Sequence, residues 1–143
     1  MKRLIIAAIA TIAAVPAIAA ANDAIDKAAK EKGAVKTPSG MVYRSLKDGK
    51  GKSPTAANTV EVNYRGTLTN GKEFDSSYKR HQSISFPLSG VIPCWTEGVQ
   101  KMKVGGKAKL VCPPELAYGS QGAGSDVPPN ATLIFEVELL NIK

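Results

Sequence analysis

The stretch Thr59 to Leu68 alternates apolar and polar side chains and runs into Asn70-Gly71. Val60, Val62 and Tyr64 face one way, and Glu61, Asn63 and Arg65 the other, which is the period of a half-buried strand. Asn-Gly tolerates the positive φ of a tight hairpin turn, so Lys72 to Asp75 is expected to return antiparallel. Ser83 to Leu88 repeats the alternation, with Ile84, Phe86 and Leu88 on one face. Lys107 to Cys112 reads as a further strand stopped by Pro113-Pro114. In Ala131 to Ile142, Leu133, Phe135, Val137 and Leu139 share one face, and Glu136 and Glu138 the other. Only one segment inside this region has helical spacing. Pro93 suits a first helical turn, where its missing N–H costs nothing, and Trp95, Val99 and Met102 follow before Gly105-Gly106 ends the run. The pattern predicts an α+β fold in two layers, mostly antiparallel strand with one short helix laid across a sheet.

The 143 residues allow one domain with a tail. Lys2 and Arg3 precede an apolar run from Leu4 to Val15, and small residues follow in Ala17-Ile18-Ala19-Ala20-Ala21. This is the pattern of a secretory signal over residues 1–21, with cleavage expected after Ala19 or Ala21. The run is shorter than the roughly 20 residues a spanning helix needs, so no stable membrane insertion is expected. Residues 22–36 read as a flexible or weakly helical N-terminal segment, Gly33 to Gly40 as a linker, and residues 37–143 as the packed domain. Export places the protein in the periplasm or outside the cell. There, an oxidising environment permits a bridge between the only two cysteines, Cys94 and Cys112; the alternative is two buried free thiols.

The chain carries a formal charge of +7, falling to +5 once Lys2 and Arg3 leave. The positives are scattered, densest from Lys47 to Lys52, and read as a solvated face. No recognition helix, zinc pattern or RNA-binding aromatic motif accompanies them, so nucleic acid is not an expected partner. His81 is the single histidine and lies in the polar stretch Lys79-Arg80-His81-Gln82. A zinc site of the usual kind would need more, and no nucleophile elbow supports a Ser-His-Asp arrangement. The glycine-rich stretch after Tyr118 lacks the Lys and Ser/Thr of a phosphate loop. No metal and no cofactor is expected.

Aromatic residues, by contrast, fall on several elements with few ionisable groups among them: Tyr64, Phe74, Trp95, Tyr118 and Phe135. Each alone reads as well as plain core. Together they suit an apolar pocket better than an acid–base site. Rotation about an X-Pro bond needs no acid, base or nucleophile. Its barrier of about 20 kcal/mol comes from amide resonance, and the twisted transition state is less polar than the planar amide. A greasy pocket that fits a proline ring therefore favours it.

Five segments in order resemble the FKBP-type peptidyl-prolyl cis–trans isomerases, in their small exported bacterial form. They are Val60–Gly66, Asn70–Ser77, Val91–Gly98, Leu116–Gly119 and Ile134–Leu139. The resemblance covers roughly Thr37 to Lys143. It implies a curled antiparallel sheet of five to six strands wrapped around one short helix. It further implies an isomerase (EC 5.2.1.8), with a chaperone's role in folding, acting on proline-containing unfolded or partly folded exported proteins. Carried over by motif position, Trp95 forms the pocket floor, Tyr64, Phe74 and Phe135 the walls, and Val91 and Ile92 the rim. The Ile92 N–H and the Tyr118 hydroxyl bond substrate carbonyls. Asp75 bonds Tyr64 and Arg80 beside the bond that rotates. Ile84 stands where many members carry Phe, and Ala123 where eukaryotic members often carry His. Both border the pocket in the family and bear on substrate preference and on binding of macrolide inhibitors. With only a short segment ahead of the domain, a monomer is expected.

Overall fold

The computed structural model describes the backbone of residues 17–143 and the side chains from residue 23 onward. Most of the expected leader therefore lies outside the described residues. Its end does not: helix α1 spans Ala17–Ala29, so both expected cut points fall within that helix.

Seven strands form one antiparallel sheet among the described residues: β1 Ala34–Lys36, β2 Val42–Lys47, β3 Thr59–Leu68, β4 Glu73–Ser76, β5 Ile84–Pro87, β6 Lys107–Cys112 and β7 Leu133–Ile142. Their order is β1-β2-β6-β7-β3-β4. The outer edge of β3 is shared. Its first half, Thr59 to Val62, pairs with β5, and its second half, Arg65 to Thr67, pairs with β4. Helix α2, Pro93–Val99, packs on one face.

The strand with the cleanest alternation behaves as its period predicts. Val60, Val62 and Tyr64 are buried, while Glu61, Asn63 and Arg65 are not. They join Val99, Leu110, Leu133, Val137 and Leu139 in the core beneath α2. Gly98 lets that helix sit close on β6, because a Cβ there would lie 2.8 Å from Leu110 Cδ2. The Asn70-Gly71 turn forms as expected, with Gly71 at φ 90°. Burying side chains of this size stabilises the fold by about 1.5–3 kcal/mol each.

Three expectations need correction. The sheet has seven strands rather than five or six, because the segment read as a linker contains β1, paired to β2 from Ala34↔Arg44 to Lys36↔Val42. β2 went unread because only Val42 is buried along it, which leaves no period of two. The segment read as flexible or weakly helical carries the second half of α1, one of two α-helices among the described residues, and it is packed. Ile25 and Ala28 of α1 pack on Val42 and Val111, on the sheet face opposite α2, and so tie residues before 37 to the sheet. α2 also ends earlier than its apolar spacing suggests. After Val99 the chain tightens into turns, Lys101 N–H to Gly98 O at 3.1 Å and Met102 N–H to Val99 O at 3.0 Å, and Met102 is buried from a turn.

An aromatic cage over the first turn of the short helix

Trp95 stands in the first turn of α2, one residue after Cys94 and two after Pro93. Three rings meet it edge to face: Tyr64 at 5.2 Å between centroids, Phe135 at 5.4 Å and Phe86 at 5.5 Å, with interplanar angles of 83°, 84° and 83°. Phe74 extends the wall, edge-on to Phe135 at 5.6 Å. Such pairs place a positive ring edge against a negative ring face, so each side chain fixes the tilt of the next. The indole is 4% exposed, and its buried N–H has no hydrogen-bond partner among the described residues. A small residue at position 66 makes room for the wall. A Cβ on Gly66 would stand 2.6 Å from Phe74 Cζ and 2.9 Å from Phe135 Cε1.

Above the indole lies a cavity of about 400 Å³. Its walls are Tyr64, Phe74, Phe86 and Phe135, and its rim carries Gly90, Val91, Ile92, Asp75 and Tyr118. Tyr118 is 42% exposed and reaches the lining from the segment after β6. The volume lies within the ~300–1,000 Å³ of small-ligand sites, and an apolar lining with few polar groups is typical of them.

The polar edge is one network. The Tyr64 hydroxyl donates to Asp75 Oδ2 at 2.6 Å, and Arg80 Nη1 donates to Asp75 Oδ1 at 2.8 Å. Arg80 Nη2 also donates to the Tyr64 hydroxyl at 3.1 Å, and the Ser76 amide to Asp75 Oδ1 at 2.9 Å. Burial pushes the Tyr64 hydroxyl up, helped by its bond to Asp75, to about 12. Burial also pushes the Asp75 carboxyl up, but the Tyr64 hydroxyl, the Arg80 guanidinium and the Ser76 amide outweigh it and hold it below its ordinary value. Near neutral pH the acid is therefore ionised and the phenol protonated. Neither is poised to exchange a proton.

Eight of the ten residues named for the pocket, Tyr64, Phe74, Asp75, Val91, Ile92, Trp95, Tyr118 and Phe135, line this one cavity. Arg80 stands behind Asp75 and Tyr64 and is not itself on the lining. Ile84 is corrected. It packs against the core from β5, and Phe86, two residues along the same face, lines the wall. The alternation put both residues on the inner face. Which of them reaches the indole depends on how the sheet and α2 pack, and no local pattern carries that information. Ala123 packs against the core and does not line the cavity.

Cys94 and Cys112 are joined, with Cα atoms 5.7 Å apart. The bridge ties the turn bearing Trp95 to the end of β6.

A family model described as FKBP-type peptidyl-prolyl cis-trans isomerase matches residues 50–140. The FKBP-type peptidyl-prolyl cis-trans isomerase FkpA of Escherichia coli K12 is 56% identical over 118 residues, covering 82% of this chain and 43% of that protein. The crystal structure of FkpA from Escherichia coli superposes with a TM-score of 0.84 at 54% identity, over 87% of this chain and 58% of that one. A peptidyl-prolyl cis-trans isomerase structure from Pseudomonas syringae pv. tomato also superposes with a TM-score of 0.84, at 36% identity, over 90% of this chain and 97% of that one. The chain spans less than half the length of the first of these relatives.

Proposed function

The chain belongs to the FKBP-type peptidyl-prolyl cis–trans isomerase family, and on that basis we propose that it rotates X-Pro bonds of exported proteins during their folding. The observation that carries this reading is the cage of rings around Trp95 with an ionised Asp75 at its edge.

A proline ring enters over the indole, with Tyr64, Phe74, Phe86 and Phe135 around it. The planar X-Pro amide is stabilised by resonance and by water on its polar carbonyl. Inside the cage that water is gone. On twisting, the C–N bond loses double-bond character and the carbonyl loses polarity, so the apolar walls cost the twisted form less than the planar one. Ile92 N–H and the Tyr118 hydroxyl hold substrate carbonyls on either side of the rotating bond and keep the flanking chain still. Asp75, fixed by Arg80 and Tyr64, sets the field beside that bond. No bond forms or breaks and no proton moves. The tuning of Tyr64 and Asp75 away from neutrality supports this.

The same proposal places the isomerase unit at residues 37–143, flanked by β1, with residues 1–21 removed on export to the periplasm or beyond. Its clients are proline-containing unfolded or partly folded proteins. Macrolide inhibitors compete for the cage, and the protein works as a monomer, which light scattering checks.

The test is a protease-coupled isomerisation assay on a proline tetrapeptide. Wild type accelerates the slow phase, and Trp95→Leu and Asp75→Val reduce kcat/KM by about tenfold or more, a loss of about 1.4 kcal/mol of transition-state stabilisation. Equilibration no faster with the wild-type protein than in buffer sinks the reading.

A further inference from the structure

A second cavity, about 240 Å³, lies away from the cage and shares no lining residue with it. It opens between the end of β2 and the turn that joins α2 to β6. Lys47, Lys101, Lys103 and Lys107 line it, with Ser45 and with Tyr43, whose hydroxyl donates to Lys101 O at 3.5 Å. Asp48 is the one acidic side chain on the lining, and it accepts the Ser45 hydroxyl at 2.7 Å. Lys107 is 3.8 Å from Glu136. Lys47, Lys101 and Lys103 enter no ion pair among the described residues.

The walls are fixed rather than loose. Gly49 and Gly106 bring the two segments together backbone to backbone. A Cβ on Gly49 would stand 2.6 Å from Gly106 N, and one on Gly106 would stand 2.9 Å from Gly49 N. Gly106 N–H bonds Lys103 O at 2.9 Å, and Gly51 N–H bonds Val104 O at 3.0 Å. The buried Met102 anchors the turn between Lys101 and Lys103 in the core. The backbone that carries these lysines is thus held around a concave space, and three of the four side chains have no paired acid among the described residues.

We propose that this cavity binds a phosphate-type oxyanion. Lysine ammonium groups bind as point charges on flexible stems, which suits a tetrahedral, multiply charged group better than the planar, bidentate fit that arginine gives a carboxylate. The volume is below the ~300–1,000 Å³ of pockets for drug-sized ligands, so the group is small. Free phosphate, a phosphate ester and a phospholipid head group share that chemistry.

The test uses the full chain and three proteins: wild type, the cavity variant Lys101→Gln/Lys103→Gln, and a charge-matched control, Lys27→Gln/Lys72→Gln, whose sites are on α1 and the β3–β4 turn. Amide shifts are followed while inorganic phosphate replaces chloride at constant ionic strength. Binding is also measured to vesicles of phosphatidylcholine with and without phosphatidic acid. Prolyl isomerisation reports that each variant is folded. Saturable shifts around Tyr43 and Lys103, weakened about tenfold in the cavity variant and unchanged in the control, support a free phosphate ligand. Silence with phosphate, but phosphatidic acid binding lost in the cavity variant alone, supports the lipid head group as the source. No saturable response to either, or equal loss in the cavity variant and the control, overturns the proposal and leaves only a solvated basic face.

Discussion

Ser77 holds the backbone of Tyr64 from both directions. Its Oγ accepts the Tyr64 N–H at 2.8 Å, and its own N–H donates to the Tyr64 carbonyl at 2.9 Å. The same hydroxyl donates to Asn63 Oδ1 at 3.0 Å, and the Ser77 carbonyl accepts the amides of Arg80 and Gln82, each at 3.2 Å. Ser77 is fully buried. One small buried residue therefore holds the wall of the cage through its hydroxyl and N–H, and through its carbonyl the turn that brings Arg80 to Asp75. Ser77→Ala removes the Oγ and leaves the Tyr64 N–H and Asn63 Oδ1 without that partner. It is expected to cost about 1–3 kcal/mol in urea unfolding and to lower kcat/KM on a proline peptide.

Gly66→Ala sets a methyl against Phe74 and Phe135. The rings must yield, because the clash is with two packed side chains that also face the cavity. An overpacked site of this kind costs about 1–3 kcal/mol. The expected result is a lower thermal midpoint with loss of turnover. Phe135→Leu in the same background is expected to restore part of the stability and little of the activity. Stability measured by calorimetry beside the isomerisation assay separates the two effects.

The pH dependence follows from Tyr64 and Asp75. Asp75 sits below its ordinary value in the folded state, so its contribution is present above the unfolded carboxyl range near 4 and is lost as pH falls through the lower folded value. Tyr64 is raised to about 12, so its contribution is complete below the unfolded phenol value near 10 and is lost as pH rises through the folded one. Activity and the contribution of this pair to stability are expected to be flat between about pH 5 and 9. Asp75→Asn is expected to remove the acid limb of the urea-midpoint profile that this carboxylate supplies. A profile unchanged by that substitution contradicts the assignment.

Both sulfurs of the Cys94–Cys112 bridge belong to fully buried residues, and the bridge closes a loop of 18 residues. Cys94→Ala/Cys112→Ala is expected to lose about 3 kcal/mol, with the entropy of the unfolded loop as the main source. Because neither cysteine is exposed, reductant is expected to act on the native protein only as fast as it opens. Thiol trapping against denaturant concentration reads that rate.

The alternation in β3, the Asn70-Gly71 turn and the run in β7 were legible because they are local. A period of two needs only one buried face, and Val60, Val62 and Tyr64 write it out in sequence. The helix start at Pro93 was legible for the same reason. β2 was not, since only Val42 among its residues is buried, and α1 was not read as a packed element because its apolar contact is narrow, Ile25 and Ala28 on Val42 and Val111. The pocket residues came from motif order rather than from pattern, since Trp95, Phe74 and Phe135 look like ordinary core one at a time.

What local chemistry dictated was which residues point inward along each strand, where the chain turns, and that no proton-transfer machinery accompanies the aromatic set. The convergence of those residues was decided in three dimensions. Phe86, from β5, meets the indole of α2 edge to face, a contact between two elements that no local pattern contains. Asp75 and Arg80 bond because Ser77 folds the chain back on Tyr64. The lysines of two distant segments share a cavity because Gly49 and Gly106 let their backbones touch. Side-chain direction repeats along a strand with a fixed period, whereas the distance between two strands depends on every contact that packs them, and no short stretch of chain contains that information.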